Sequence, residues 1–170
     1  MHRIKIVIFL VQIVISSIVA QSSFDIQIEP ITIAGVGGLQ SFAYGQHEGK
    51  WLVVGGRLDG LHRRQPFASF DIAGHNTQIY VVDPENNQSW TASLDVLPST
   101  IKEQLSATNL EFYQEGNMLY IIGGYGYSST SADHITYPNL TAIDIPNLIF
   151  AIQNDQSIKP HIRQIYDEKM

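Results

Sequence analysis

The sequence predicts an all-β fold built from a repeated unit of antiparallel strands, and three observations carry this prediction. A hydrophobic strand followed by a glycine pair occurs twice, at 51–56 and at 118–124. A glycine-containing turn stands before each copy, and further strand-and-turn patterns follow it. Gly55 and Gly123 lie 68 positions apart, which is longer than the roughly 50 residues of a compact four-stranded repeat. Each repeat is therefore expected to contain a long insertion.

The N-terminus has the pattern of a secretory signal peptide. Arg3 and Lys5 precede an apolar run from 6 to 15, and small residues up to Ala20 precede a polar stretch. The run is interrupted by Gln12 and is shorter than the roughly 20 residues that a membrane-spanning helix needs. We therefore expect residues 1–20 to be cleaved and the protein to be exported, whether secreted, periplasmic or at the cell surface. No stable membrane span is expected after cleavage.

The composition excludes several classes of function. The chain has no cysteine, which excludes disulfides, thiolate metal sites and thiol nucleophiles. Without residues 1–20 it has 8 basic and 16 acidic residues. Because phosphate binding needs clustered Lys and Arg, this balance argues against nucleic acid and anionic membranes as partners. The pair Arg63 and Arg64 is too small to change that conclusion.

The first repeat, with the segment before it, is expected to occupy residues 21–98. Alternating apolar and polar residues predict a short strand at 24–29. Glycines at 35–38 then mark a turn. Beyond that turn the pattern predicts a four-stranded antiparallel meander, with strands at 39–44, 51–54, 78–83 and 89–92.

The connector and the second repeat together are expected at 99–155; the connector is a helix over 98–105 in which Ser99 is the N-cap candidate. The buried strand of the repeat is 118–122, and a further strand is expected near 142–146. An apolar segment at 148–152, with the pattern of a short helix, stands where the first repeat has Trp90. Residues 156–170 are expected to begin a further, truncated element.

Three features together resemble kelch repeats over roughly residues 35–155: the glycine pair after an apolar strand, the sequence Val82-Asp83-Pro84, and Trp90. The second repeat keeps Gly123-Gly124 but has no tryptophan at the corresponding place. The resemblance implies an all-β fragment of a kelch-type β-propeller, with about two four-stranded blades. Propellers close with about four to eight blades. The remaining blades are therefore expected from missing sequence or from oligomerisation.

Inner-strand packing of these blades is expected from residues 51–54 and 119–122, with Trp90 sealing the outer part of the first blade. The glycines themselves are expected to be structural, because strands crowd together near a propeller axis. Residues 35–39 lack the spacing of a dinucleotide-binding fingerprint. A nucleotide site is therefore not expected there.

Candidate binding residues are concentrated in two long inserts after the glycine pairs, at 57–77 and 125–139. Strands of a meander alternate in direction, so both inserts should emerge on one face and lie side by side. Aromatic rings can stack on sugars, while Arg and Asp bind hydroxyl or carboxylate groups; the same residues also make protein interfaces. A protein or carbohydrate ligand is therefore expected, bound by candidates Arg57, Asp59, His62, Arg63, Arg64, His75, Tyr125, Tyr127 and His134.

An alternative interpretation is that the inserts only pack on each other. Phe67 and Phe70 would then be buried, and Arg63 or Arg64 would pair with Asp59 or Asp71. No metal or cofactor is expected, because the spacings of the histidines match no ligand motif. No catalytic residue is assigned, since neither a Gly-x-Ser-x-Gly turn nor a His-Glu-x-x-His pair occurs.

The favoured hypothesis is thus an exported kelch-type propeller that acts as a binding module through long loops on one face. The alternative is an extracytoplasmic carbohydrate-active enzyme of the galactose-oxidase-like or sugar-mutarotase-like kelch group, with most of its site in missing blades. The copper-radical chemistry of galactose oxidase requires a cysteine, which this chain lacks. A third possibility is a structural segment of a larger cell-surface protein.

Overall fold

The computed structural model describes residues 25–60 and 70–166; the expected signal peptide at 1–20 lies outside them. The chain divides into two units, 1–30 and 31–170. In the first unit, the described residues 25–30 form no strand and are exposed. The predicted strand at 24–29 is therefore wrong over its described part: Ile26 and Ile28 are 71% and 86% exposed, and among the described residues no strand pairs with them. All helices and strands below belong to the second unit.

The first sheet is an antiparallel meander of four strands, as predicted. They are β1 (Ala43–His47), β2 (Lys50–Val54), β3 (Gln78–Asp83) and β4 (Gln88–Ser93), in the order β1-β2-β3-β4. The first strand begins later than the predicted 39–44, because Gln40 instead forms an isolated bridge with Arg57 beyond the glycine pair. Glu48 and Gly49 make the tight turn between β1 and β2 with positive φ angles.

The second sheet has five antiparallel strands: β5 (Thr108–Glu115), β6 (Met118–Ser128), β7 (Asp133–Thr136), β8 (Asn139–Asp144) and β9 (Ile162–Tyr166). Its order is β5-β6-β8-β9, and β7 pairs with the distal part of β6. The second glycine pair thus lies inside β6, and the insert predicted as a loop at 125–139 is mostly a β-hairpin. Residues 162–166 pair with β8; they complete this sheet rather than begin a further element.

Two α-helices accompany the sheets. Helix α1 (Ser99–Leu105) connects them, as predicted, but its N-cap position is held by Pro98 without a side-chain hydrogen bond, not by Ser99. Helix α2 (Ile145–Gln153) occupies the apolar segment after β8. Short 3-10 helices cover Ile72–Gly74, Leu94–Val96 and Lys159–His161. Within the described residues, no helix is both long enough and apolar enough to cross a membrane.

One hydrophobic cluster joins both sheets and α2. It contains alternate residues of the strands in both sheets, together with the buried face of α2. Its members include Leu52, Val54, Ile79, Val81, Leu119, Ile121, Ile143, Ile145 and Leu148. Trp90 packs against it, as expected. Trp51 and Ile122, predicted to be packed, are instead 40% and 50% exposed. They lie on the opposite faces of their strands, because successive strand residues alternate between faces.

Leu110 of β5 lies between the two glycine pairs. A Cβ on Gly55 would come within 2.5 Å of Leu110 Cδ1, and a Cβ on Gly124 within 2.5 Å of Cδ2. Both glycines have positive φ angles, +71° and +93°, which side-chain-bearing residues rarely adopt. Gly56 N also donates to the carbonyl of Ala107 at 2.9 Å. Gly55 and Gly124 thus let the two sheets approach each other on either side of Leu110.

Candidate functional site

The two inserts meet at Phe70. Its ring contacts the ring of Tyr125 edge-on, with 4.9 Å between centroids. Its carbonyl oxygen lies 3.0 Å from His134 Nε2. Residues from both glycine-pair inserts therefore contribute to one cluster, and Phe70 connects its two halves.

Arg57 anchors the half that comes from the first insert. The side chain is only 2% exposed. Its Nε donates to Asp59 Oδ1 at 2.9 Å and its Nη2 to Asp59 Oδ2 at 2.5 Å, while Nη2 also donates to the carbonyl of Asp71 at 2.9 Å. The guanidinium carbon lies 5.7 Å from the centre of the Phe70 ring, within cation–π range. Among the described residues, Nη1 has no hydrogen-bond partner.

His75 is the second buried polar group of this half. It is 8% exposed, and its Nε2 has no hydrogen-bond partner within the described residues. Burial, and then the nearby positive charges of Arg57 and His134, lower the pKa of His75 from its ordinary value of 6.5, against an opposing effect of Asp59 and Asp71. The imidazole is therefore neutral near pH 7, and its tautomer decides whether Nε2 donates or accepts.

The neighbouring residues fix His75 in place. Its backbone forms an isolated bridge with Arg57. The fully buried Asn76 donates from Nδ2 to the carbonyls of Gly55 and Gln78, each at 2.9 Å. On the other side, a Cβ on Gly126 would lie 3.1 Å from His75 Cε1, so the glycine makes room for the ring. The imidazole of the first insert therefore packs against β6 at Gly126.

Tyr125, Tyr127 and His134 form the half that comes from the second insert. Tyr125 and Tyr127 are alternate residues of β6 and point to the same face of the hairpin. His134 pairs with Tyr127 across the hairpin. Its ring lies 6.0 Å from that of Tyr125, nearly parallel, and 5.4 Å from that of Tyr127, edge-on. Both tyrosines are half-buried and His134 is exposed, so part of this aromatic surface faces solvent.

The structure thus brings six sequence-predicted site residues into one region: Arg57, Asp59, His75, Tyr125, Tyr127 and His134. The remaining candidates, His62, Arg63 and Arg64, lie outside the described residues. Among the described residues Arg57 pairs with Asp59; the pairing of Arg63 or Arg64 with Asp59 or Asp71, which the packing interpretation expects, involves arginines outside the described residues. Phe70 is half-buried.

Sequence reasoning missed a second polar region, a pocket of about 480 Å³ between α1, the β6–β7 turn and β9. Glu103 lines it and accepts hydrogen bonds from Ser128 Oγ at 2.7 Å, Thr130 N at 3.1 Å and Thr130 Oγ1 at 3.0 Å. Tyr137 lines the pocket and donates to the carbonyl of Tyr127 at 3.1 Å. No motif could have indicated this pocket, because common residue types from separate segments assemble it.

Burial, and then the nearby Glu103, raise the pKa of Tyr137 well above its ordinary value, so its hydroxyl stays protonated and remains a hydrogen-bond donor. The Glu103 carboxylate already accepts three hydrogen bonds from neighbouring groups. Across the ranges 25–60 and 70–166, no group of three or more His, Asp or Glu residues is arranged to hold a metal ion.

No protein-family model matches the chain, and a search of curated proteins finds no significantly similar sequence.

Proposed function

We propose that this chain is part of an exported, kelch-type propeller protein that binds a ligand through the cluster formed by its two inserts. The blade interpretation is supported by two four-stranded meanders, β1 to β4 and β5-β6-β8-β9. In each, a glycine pair follows the buried stretch of the second strand. Export rests on the signal-like N-terminal sequence.

The observation that carries the binding proposal is the pair of unsatisfied polar atoms in the cluster. Arg57 Nη1 and His75 Nε2 are both buried and without hydrogen-bond partners among the described residues. An unsatisfied buried polar group costs about 1–3 kcal/mol, and more if it is charged. A ligand that supplied an acceptor to Arg57 and a hydrogen bond to His75 would recover that cost.

The chemistry of the cluster favours a carbohydrate that carries a carboxylate. The guanidinium of Arg57 is always charged and pairs well with carboxylate oxygens. The half-buried rings of Tyr125 and Tyr127 offer faces on which a sugar can stack. A neutral His75 can accept a hydrogen bond from a hydroxyl group or donate one to it, depending on its tautomer. An acidic segment of a protein satisfies the same groups and is the second class of ligand.

The proposal is tested with an oligosaccharide array that contains uronic-acid sugars and their neutral analogues, followed by calorimetry on the best binder. We expect binding to the acidic sugars. The variants Tyr127→Ala and His134→Ala should each weaken it about three- to tenfold, because each loses ring contacts worth about 0.5–1.5 kcal/mol. Phe150→Ala on α2 is the matched control, because Phe150 is an exposed aromatic residue outside the cluster.

Binding that Phe150→Ala weakens as much as Tyr127→Ala would contradict the proposed site. Absence of binding to every acidic sugar would exclude the carbohydrate ligand, and a parallel array of acidic peptides then tests the protein ligand. If neither array gives binding that depends on Tyr127 and His134, the proposed function is wrong.

A further inference from the structure

The pocket of about 480 Å³ between α1, the β6–β7 turn and β9 has the size of a small-molecule site, which is about 300–1,000 Å³. We call it the Glu103 pocket. One part of its wall is apolar or aromatic and consists of Ile135, Tyr137, Pro138, Ile165 and Tyr166. The other described residues of the wall are polar, and Glu103 is the charged one among them. The described wall therefore carries a negative charge beside an apolar surface.

The carboxylate of Glu103 has no cationic partner in the described part of the chain. No Lys, Arg or His of that part forms an ion pair with it, and the adjacent Lys102 pairs with Asp95 instead. Glu103 also lies in the last turn of α1, where the helix dipole disfavours a negative charge. The half-buried carboxylate therefore gains from a cation that a ligand brings.

The hydrogen bonds of Glu103 leave one acceptor position open. A carboxylate has about four lone-pair positions. Oε1 accepts from Thr130 N and Thr130 Oγ1, whereas within the described chain Oε2 accepts from Ser128 Oγ alone. Because both hydroxyl protons are used on Glu103, these hydroxyl groups have no proton left to donate to a ligand. The pocket thus offers a charged acceptor at Oε2.

Gln164 adds a second acceptor to the wall. Its Nε2 donates to Gln104 Oε1 at 2.8 Å and to Thr141 Oγ1 at 3.2 Å. The amide nitrogen is thereby committed to two buried residues, and Oε1 is the part of the amide left for a ligand. The polar wall of the Glu103 pocket is therefore rich in acceptors, which is the opposite of the donors that Arg57 presents in the insert cluster.

We propose that the Glu103 pocket binds a small molecule that carries a primary ammonium group on an apolar or aromatic stem. The ammonium has three N–H donors and a positive charge, so it forms a charge-assisted hydrogen bond with Glu103 Oε2. The stem packs on the apolar part of the wall, where the exposed ring of Tyr166 also attracts a cation. A carboxylate or phosphate ligand would instead meet the charge of Glu103. This inference does not depend on ligand binding by the insert cluster.

Titration of the full-length chain with matched probes, followed by two-dimensional NMR of the backbone amides, tests the proposal. The probes are phenethylammonium, neutral phenethyl alcohol and anionic phenylpropanoate, which share a phenyl ring on a short chain. We expect phenethylammonium to bind with a dissociation constant of about 1 mM or lower. Phenethyl alcohol should bind at least about tenfold more weakly, because it lacks the charge-assisted hydrogen bond, and phenylpropanoate should not bind.

Two pairs of variants locate the binding at Glu103. Glu103→Gln should abolish the preference for phenethylammonium over phenethyl alcohol, and Glu115→Gln is the matched control, an exposed glutamate outside the pocket. Ser131→Lys adds a competing ammonium to the wall and should weaken phenethylammonium binding about tenfold. Ser129→Lys adds the same charge to the same turn, but Ser129 does not line the pocket, so the effect should be much smaller.

The lysine side chain of a protein carries the same ammonium on a narrower aliphatic stem, and N-acetyl-lysinamide is the probe for that source. We expect it to bind more weakly than phenethylammonium, because it covers less of the apolar wall. Tighter binding of N-acetyl-lysinamide would identify a protein lysine as the source of the ammonium and would overturn the small-molecule ligand.

Three other results would overturn the proposal: phenethyl alcohol that binds as tightly as phenethylammonium, a Glu103→Gln variant that keeps the preference for the ammonium, or no binding of any probe up to about 10 mM. Near-UV circular dichroism checks that the variants are folded. If Glu103→Gln is not, the comparison of Ser131→Lys with Ser129→Lys decides, because both keep Glu103. Equal binding of phenethylammonium by these two variants would contradict the proposed site.

Discussion

Replacing Gly55 with alanine should destabilise the protein much more than the same change at Gly123. Both glycines have similar positive φ angles, +71° and +68°, so each substitution costs about 1–2 kcal/mol of backbone strain. At Gly55 the new Cβ would also lie 2.5 Å from Leu110 Cδ1 and 2.7 Å from the carbonyl oxygen of Ala107. At Gly123 it would meet no atom within 4 Å. The pair therefore separates backbone strain from steric overlap.

Relief of the overlap at Gly55 requires a backbone shift, and overpacking of this kind costs about 1–3 kcal/mol. We expect Gly55→Ala to lower the free energy of unfolding by about 2–5 kcal/mol and Gly123→Ala by about 1–2 kcal/mol. Urea unfolding followed by tryptophan fluorescence and circular dichroism measures both. Equal losses, or a larger loss for Gly123→Ala, would show that the two sheets do not approach each other at the glycine pairs as described.

Three further predictions follow from buried or capping polar groups. The pKa of His75 is lower in the folded protein than in the unfolded chain, so the unfolded chain binds the proton first as the pH falls below about 6.5. The free energy of unfolding, measured with urea, should therefore decrease on acidification. The decrease should be smaller in the His75→Gln variant. Asp144 caps α2 by accepting a hydrogen bond from Asn147 N. Asp144→Ala should therefore lower the free energy of unfolding by about 0.5–2 kcal/mol in the same assay, and Asp144→Asn should lower it much less. Gln104 is fully buried and accepts a hydrogen bond from Thr141 Oγ1 at 2.6 Å. The Gln104→Leu variant should therefore lose about 1–3 kcal/mol of unfolding free energy, seen as a decrease of several degrees in the thermal midpoint.

The four-stranded meander of the first sheet could be predicted because its strands are apolar and two of its three connections, β1–β2 and β3–β4, are short turns that contain glycine or asparagine. Residues 78–83 form a strand with the predicted bounds, since Asp83 and Pro84 end it. The connecting helix could be predicted equally well. Its N-cap residue could not, because Ser99 is a good capping residue by type, whereas Pro98 takes that position in the fold.

The second sheet was harder to predict because its irregularities depend on partners distant in sequence. Gly123 and Gly124 looked like the end of a strand, but pairing with β7 continues β6 through them to Ser128. Strand β9 follows α2, and its pairing with β8 cannot be read from its own short, mixed sequence. Local patterns indicate strands; they do not say which strand continues or which edge it joins.

Predicting the insert cluster from the sequence was possible because long inserts rich in Arg, His and Tyr follow equivalent strands. What the sequence could not indicate is that Arg57 is buried. Arg57 directly follows a glycine pair and its backbone bridges both Gln40 and His75, and these backbone contacts are not visible from residue type. The polar pocket around Glu103 carried no pattern at all, since its residues are common and widely separated.

The most direct test of the binding site is a two-dimensional NMR spectrum of the histidine side chains, recorded with and without the best acidic ligand from the arrays. Of the four histidines among the described residues, His75 and His134 lie in the cluster, and His47 and His161 lie on β1 and on the 3-10 helix before β9. The account predicts that the ligand shifts the imidazole signals of His75 and His134 and leaves those of His47 and His161 unchanged. A bound ligand that leaves His75 and His134 unchanged, or shifts only His47 or His161, would contradict it.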